Sequence, residues 1–198
     1  ANVTLISNNR ISNGFDTGPG NILLDAWCEK HTQKPFDNKG RWAETGKIHH
    51  HLLEQLLSHP YFKASPPKST GRECFNLEWL NSVIRKINEN IKPEDIQATL
   101  AELTAQTIAD SIQHYQIHPT TINVCGGGAY NEYLMQRLVS HCKNHTIKTT
   151  SSIGIDPEWM EACAFAWFAQ QTLERKTINL NTITGATRQS VLGAIYAA

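Results

Sequence analysis

No surplus of either charge is present: Lys and Arg together number 18, and so do Asp and Glu. A chain of zero formal charge has no long-range field to gather nucleic acid or an anionic membrane surface. An anionic ligand must then be held by local groups, such as the free amides of a helix N-terminus. Apolar runs of the ~20 residues that cross a bilayer are missing, as is a secretory signal. A soluble, cytoplasmic protein with no nucleic-acid or membrane partner is expected. CxxC pairs are also missing. The cysteines, Cys28, Cys74, Cys125, Cys142 and Cys163, are odd in number, so neither a disulfide framework nor a zinc site is indicated. Buried free thiols in a reducing compartment are the simplest reading. His49-His50-His51 would point in different directions on a helix, and read as a solvated helix start rather than a metal site. Internal repeats, low-complexity tracts and linkers are absent. What is there is 198 residues, 40% of them hydrophobic, enough for one domain with a real core.

The opening Ala1-Asn2-Val3-Thr4-Leu5-Ile6 reads as a strand already under way, with no start methionine before it. A truncated chain, a split gene or an excised lobe is expected. A second short apolar stretch ends at Phe15, and residues 22–30 then read as a helix with Asn21 as N-cap. Leu52, Leu53, Leu56 and Leu57 predict an amphipathic helix ending before Pro60. Leu77, Leu80, Ile84, Ile87 and Ile91 repeat at helical spacing. The next helix starts near Pro93, with Glu94 and Asp95 in its first turn and Ile96, Leu100, Leu103 and Ile112 as its core stripe. Residues 121–125 predict a buried strand, followed by Gly126-Gly127-Gly128 and a helix through Leu134 and Leu138. Residues 146–150 alternate as a strand does. Asp156 should cap a last long helix whose first residue is Pro157. Strands separated by helices argue an α/β domain.

Four places carry chemistry. In Gly14-Phe15-Asp16-Thr17-Gly18-Pro19-Gly20-Asn21 an acid stands at a strand end, followed by glycines and a helix start. Glycines let the backbone approach a ligand, free amides at the helix opening bind phosphate, and Asp16 can take a proton or help hold Mg²⁺. An ordinary turn with a helix cap has the same composition. Gly126-Gly127-Gly128 offers a side-chain-free surface to a nucleobase or ribose, or is simply a tight turn; its spacing is not GxGxxG. Lys68-Ser69-Thr70-Gly71 is no Walker A motif, because Pro66-Pro67 stand where glycines are needed. Lys68 and Arg72 can still hold an anion, or form a solvated basic loop. Glu161 shares a helix stripe with Phe165 and Phe168, where an unpaired carboxylate is costly to bury. It is otherwise a first-turn acid that complements the helix dipole.

These segments together bring a family into view. GFDTGPGN, Asp25-Ala26-Trp27, Pro66-Pro67-Lys68-Ser69-Thr70-Gly71-Arg72-Glu73, Phe75-Asn76-Leu77, Gly126-Gly127-Gly128-Ala129-Tyr130-Asn131, Met160-Glu161-Ala162-Cys163-Ala164-Phe165-Ala166-Trp167, Thr184-Gly185-Ala186 and Val191-Leu192-Gly193-Ala194-Ile195 occur in order over nearly the whole chain. The chain thereby resembles the anhydro-N-acetylmuramic acid kinases, of the sugar kinase, Hsp70 and actin (ASKHA) superfamily. The resemblance implies an α/β, ribonuclease-H-like lobe, with residues 1–198 as the C-terminal lobe of a two-lobed enzyme. The N-terminal lobe, with its GTS-x-DG-x-D phosphate loop, has no match here. It also implies a cell-wall-recycling reaction: water adds across the 1,6-anhydro bond while the ATP γ-phosphoryl passes to O6, with Mg²⁺. Asp16 would then activate the water. Thr17, Gly18, Gly20 and Asn21 would face phosphate, and Gly126, Gly127, Gly128 and Asn131 would face adenosine. Glu161 would touch the sugar, and Lys68 and Arg72 would hold a phosphate or the sugar's lactyl carboxylate. No metal-ligating cluster is expected in this chain. With one wall of the site missing, the chain alone should be inactive. It should pair with the other lobe, or with a second copy through bare apolar surface. The other reading is a non-enzymatic lobe of this fold that binds nucleotide or a partner protein.

Overall fold

A computed structural model describes residues 1–7, 10–115 and 120–196. Alternating apolar residues make the first two strands, β1 (Asn2–Ser7) and β2 (Arg10–Asp16), which pair antiparallel with Val3 opposite Phe15 and Asn2 opposite Asp16. Helix α1 (Ile22–Thr32) follows, burying Leu23, Leu24, Trp27 and Cys28. Three short helices come next: α2 (Arg41–Thr45), α3 (His50–Leu57) and α4 (Pro60–Lys63). Helices α5 (Leu77–Ile87) and α6 (Pro93–His114) follow the leucine and isoleucine spacing, except that α5 stops at Ile87 with Asn88 left-handed, so Ile91 packs on the core from beyond the helix. The second half holds β3 (Thr121–Val124), α7 (Glu132–His141), β4 (Thr146–Thr149), α8 (Met160–Leu173) and α9 (Asn181–Thr184).

Strands β3 and β4 pair parallel, Thr121 opposite Thr146, with α7 as their crossover. Among the described residues the four strands form two separate two-stranded sheets, so the mixed α/β class holds while helices supply most of the packing. The buried strand expected at 121–125 is only half covered. Ile122 and Val124 face the α6–α7 layer, Thr121 and Asn123 face outward, and Cys125 is exposed. A two-stranded sheet with a layer on one face leaves alternate residues to solvent.

The spine is α6. Its first half packs Ile96, Leu100 and Leu103 against Leu23, Trp27, Leu52, Leu56, Phe75 and Leu80. Its second half packs Ala105, Ala109 and Ile112 against Leu134, Leu138 and Cys142. The Trp27 indole donates to the Pro93 carbonyl at 2.9 Å, which ties α1 to the α6 N-terminus. Glu102, 5% exposed, accepts from Arg137 and His141 of α7 at 2.9 and 2.8 Å. All five cysteines are free, but only Cys28 and Cys142 are buried. The triple histidine is a helix start: the His49 ring accepts the Leu52 amide, while His49 and His51 both meet Glu89. No helix among the described residues is long and apolar enough to cross a membrane.

Candidate active site

The segment from Asp16 to Asn21 has a buried middle and two half-buried ends. Residues 17–20 are buried. The Thr17 amide and the Ala1 carbonyl pair at 2.8 Å, the Ala1 nitrogen donates to the Gly18 carbonyl at 2.9 Å, and the Thr17 hydroxyl lies on the Ala1 carbonyl. Thr17 is therefore spent on holding the loop. A Cβ on Gly18 would stand 3.0 Å from the Phe62 ring, and Gly20 has φ +57 with its carbonyl bonded to the Thr104 hydroxyl at 3.0 Å. Both glycines are thus demanded by packing and backbone geometry. The amides of Gly18, Gly20 and Asn21 find no acceptor among the described residues. Amides without acceptors ahead of a helix can donate to an anion.

Asn21 departs from its expected role. Its carbonyl accepts the Asp25 amide, but its side chain caps nothing. The carboxamide instead lies across from the glycine triplet, its Oδ1 3.3 Å from where a Cβ on Gly128 would stand and its Nδ2 3.7 Å from the same point at Gly127. The two glycine motifs, more than a hundred residues apart in sequence, therefore meet through Asn21. At Gly126, φ +78, a Cβ would meet nothing within 4 Å, and its amide is tied to the Pro157 carbonyl at 2.9 Å. The triplet thus offers an open backbone surface beside Asn21. The Asn131 side chain is engaged elsewhere. Its Oδ1 caps α7 by accepting the Leu134 amide at 3.0 Å, and it abuts Gly40, whose φ of +71 and missing side chain make the contact possible.

At the other end Asp16 borders a cleft of about 590 Å³ lined by Gly14, Asp16, Pro67, Lys68, Ser69 and Thr184, among others. Four segments build it: residues 2–4, 14–16, 67–69 and 183–184. Ile183 packs into the space left by Gly14, and Gly185 lies against Pro67. The Asp16 Oδ2 accepts from the Ser69 hydroxyl and the Thr70 amide, each at 2.9 Å. Its backbone is pinned too: its amide donates to the Lys68 carbonyl, and its carbonyl accepts the Tyr61 hydroxyl at 2.8 Å. Burial, with Asp16 adding to it, pushes the Tyr61 phenol up to about 12, so it stays a donor. Lys68 is half buried, its Nζ on the Tyr61 carbonyl and 4.8 Å from the Tyr61 ring centre. Burial lowers its pKa, and among the described residues it has no carboxylate partner. It is a held cation at the cleft. Arg72 is exposed on the next turn, outside the cleft lining.

Glu161 is not where the stripe argument puts it. Helix α8 buries none of its residues, Phe165 is 67% exposed, and Glu161 is exposed. The costly burial that singled it out does not occur in this chain. Desolvation pushes the Cys125 thiol up, and the Glu161 charge adds to that. Asp156 does cap as expected, accepting the Glu158 amide, though the first turn is a 3-10 turn (Pro157–Trp159). Ser69, Thr70 and Tyr61 had no assigned role from sequence. The only signal was a hydroxyl pair following a lysine.

The family profile described as anhydro-N-acetylmuramic acid kinase matches residues 1–198. Relatives carrying that name include one from Coxiella burnetii (strain Dugway 5J108-111), 50% identical over 183 residues, 92% of this chain and 49% of the relative. One from Nitrosomonas europaea is 49% identical over 186 residues, 94% of this chain and 50% of the relative. One from Pseudomonas syringae pv. tomato is 47% identical over 198 residues, all of this chain and 54% of the relative. The chain spans about half the length of these curated relatives, and it belongs to the anhydro-N-acetylmuramic acid kinase family.

Proposed function

We propose that this chain is the C-terminal, ribonuclease-H-like lobe of a two-lobed cytoplasmic kinase that phosphorylates 1,6-anhydro-N-acetylmuramic acid. Water adds across the anhydro bond and the γ-phosphoryl of ATP passes to O6, which gives N-acetylmuramic acid 6-phosphate. The observation that carries this reading is the junction at residues 16–21: one segment borders the cleft through Asp16 and the glycine surface through Asn21. A phosphoryl donor on the glycine side and an acceptor on the Asp16 side would then meet at the intervening amides.

In this reading Asp16 is the general base. Its Oδ2 is occupied by Ser69 and Thr70, and its Oδ1 has no partner among the described residues, so one oxygen is left to take the water's proton. The amides of Gly18, Gly20 and Asn21 receive phosphate oxygens, and Thr17 holds that loop in shape. Gly126, Gly127 and Gly128 lie under the adenosine, with Asn131 fixing the helix behind them. Lys68 takes the lactyl carboxylate or a phosphate at the cleft, and Arg72 is a cation on its outer edge. Glu161 reaches the sugar only if the lobes close around α8. Mg²⁺ would arrive with the nucleotide and neutralise charge on the transferred group. It keeps much of its water shell, and among the described residues no cluster of three or more His, Cys, Asp or Glu is built to hold a metal alone. Asp16 is the carboxylate of the loop that such a hydrated ion would meet.

The exposed apolar side chains of α8 and its lead-in turn, Trp159, Phe165, Trp167 and Leu173, are a surface for the rest of the protein to cover. The half of the relatives' length that this chain does not span supplies that cover, and a second copy is the competing occupant. The test is sugar phosphate formation from Mg²⁺-ATP and anhydro-N-acetylmuramic acid. The 198-residue chain should be silent alone and active as part of the full-length protein. Turnover by the chain alone would contradict the two-lobe reading.

A further inference from the structure

A carboxylate at a strand end has two free side-chain torsions, and a general base is efficient only when a lone pair is held toward the proton it takes. At Asp16 two adjacent donors of one loop converge on a single oxygen: the Ser69 hydroxyl and the Thr70 amide both lie 2.9 Å from Oδ2. The loop is itself locked to the strand end, because the Asp16 amide donates to the Lys68 carbonyl and Tyr61 holds the Asp16 carbonyl. Two bonds to one oxygen fix both the rotation and the plane of the carboxylate, and Oδ1 is left without a protein donor among the described residues. Ser69 is exposed, and its hydroxyl bonds only to Asp16 among the described residues, so it contributes little to the core.

We propose that Ser69 is a positioning residue. With the Thr70 amide it orients the Asp16 carboxylate so that Oδ1 is the proton-accepting atom. The proposal rests on the reading of Asp16 as the base. The Thr70 amide is supplied by any residue, so the replaceable half of the clamp is the Ser69 hydroxyl, and only Ser or Thr can provide it at that reach.

The experiment is steady-state kinetics of the full-length protein with Ser69→Ala, Ser69→Thr, Asp16→Asn and the double variant Ser69→Ala/Asp16→Asn. Ser69→Ala should lower kcat about tenfold with KM within about twofold, and Ser69→Thr should restore most of it. In the Asp16→Asn background Ser69→Ala should cost nothing more, since its effect passes through the carboxylate. An unchanged kcat, a loss confined to KM, or the same tenfold loss in the Asp16→Asn background would overturn the proposal. Because Ser69 is exposed, its truncation should leave the unfolding midpoint in place. A kcat loss that disappears once folded fraction is corrected for would overturn the proposal too. The two readings separate cleanly: Asp16→Asn near the wild-type rate sinks the base assignment, whereas an impaired Asp16→Asn beside a normal Ser69→Ala sinks only the clamp.

Discussion

The carboxamide of Asn21 stands 3.3 Å from the point where a Cβ on Gly128 would be, and that contact joins the loop that starts at Asp16 to the glycine turn after β3. Neither motif alone distinguishes a ligand site from a tight turn. Their meeting at one side chain, with unpaired amides on one side and an open backbone surface on the other, is what a nucleotide spanning both would need.

That surface can be blocked without disturbing the fold. At Gly127 only the Asn21 amide nitrogen, 3.7 Å away, would meet an added Cβ, and the residue is exposed. Gly127→Trp in the full-length protein should therefore fold normally and bind ADP at least tenfold more weakly by calorimetry. Equal binding by both proteins would dismiss the glycine triplet as the adenosine wall.

Glu102 gives a stability prediction with a sign. Burial alone would push its carboxyl up, but Arg137 and His141 outweigh this and hold it below the usual carboxylate range. A depressed folded-state pKa means that the stabilisation is complete above the unfolded value of roughly 4.3 and is lost as pH falls through the folded value. Glu102→Gln should cost about 2 kcal/mol at neutral pH, because it leaves Arg137 with a neutral partner at a buried site. Urea unfolding from about pH 7 to pH 3 should show the wild-type advantage shrinking on the acid side only. An advantage that is unchanged at low pH would assign the stability to something other than this ion pair.

Much of the helical layout was legible in the sequence, for a physical reason. Leu77, Leu80 and Ile87, and Ile96, Leu100 and Leu103, face one core, so their spacing records the face each helix buries. Glu161 shows the limit of the same logic. A stripe containing Phe165 and Phe168 reveals that a helix has an apolar face, not that anything in the same chain covers it. The exposed side of β3 is in fact written in the sequence: Thr121-Ile122-Asn123-Val124 alternates polar and apolar, the pattern of a half-covered strand rather than a buried one. Asn21 was expected to cap, since Asn before a helix usually does; its contact with the glycine turn is set by tertiary packing that no local signal records. The hydrogen bonds that Ser69 and Thr70 make to Asp16 span more than fifty residues and were likewise invisible.

The central claim is that Asp16 supplies the base, and the rate of Asp16→Asn tests it most directly. Asparagine keeps the shape of the side chain and can still accept from Ser69 and Thr70, so the loop should hold while the proton acceptor is lost. Full-length Asp16→Asn should bind ATP as the wild type does and form sugar phosphate a hundredfold or more slower, the usual range for removing a general base being about 10²–10⁴. Phosphorylation of the anhydro sugar near the wild-type rate would contradict the account.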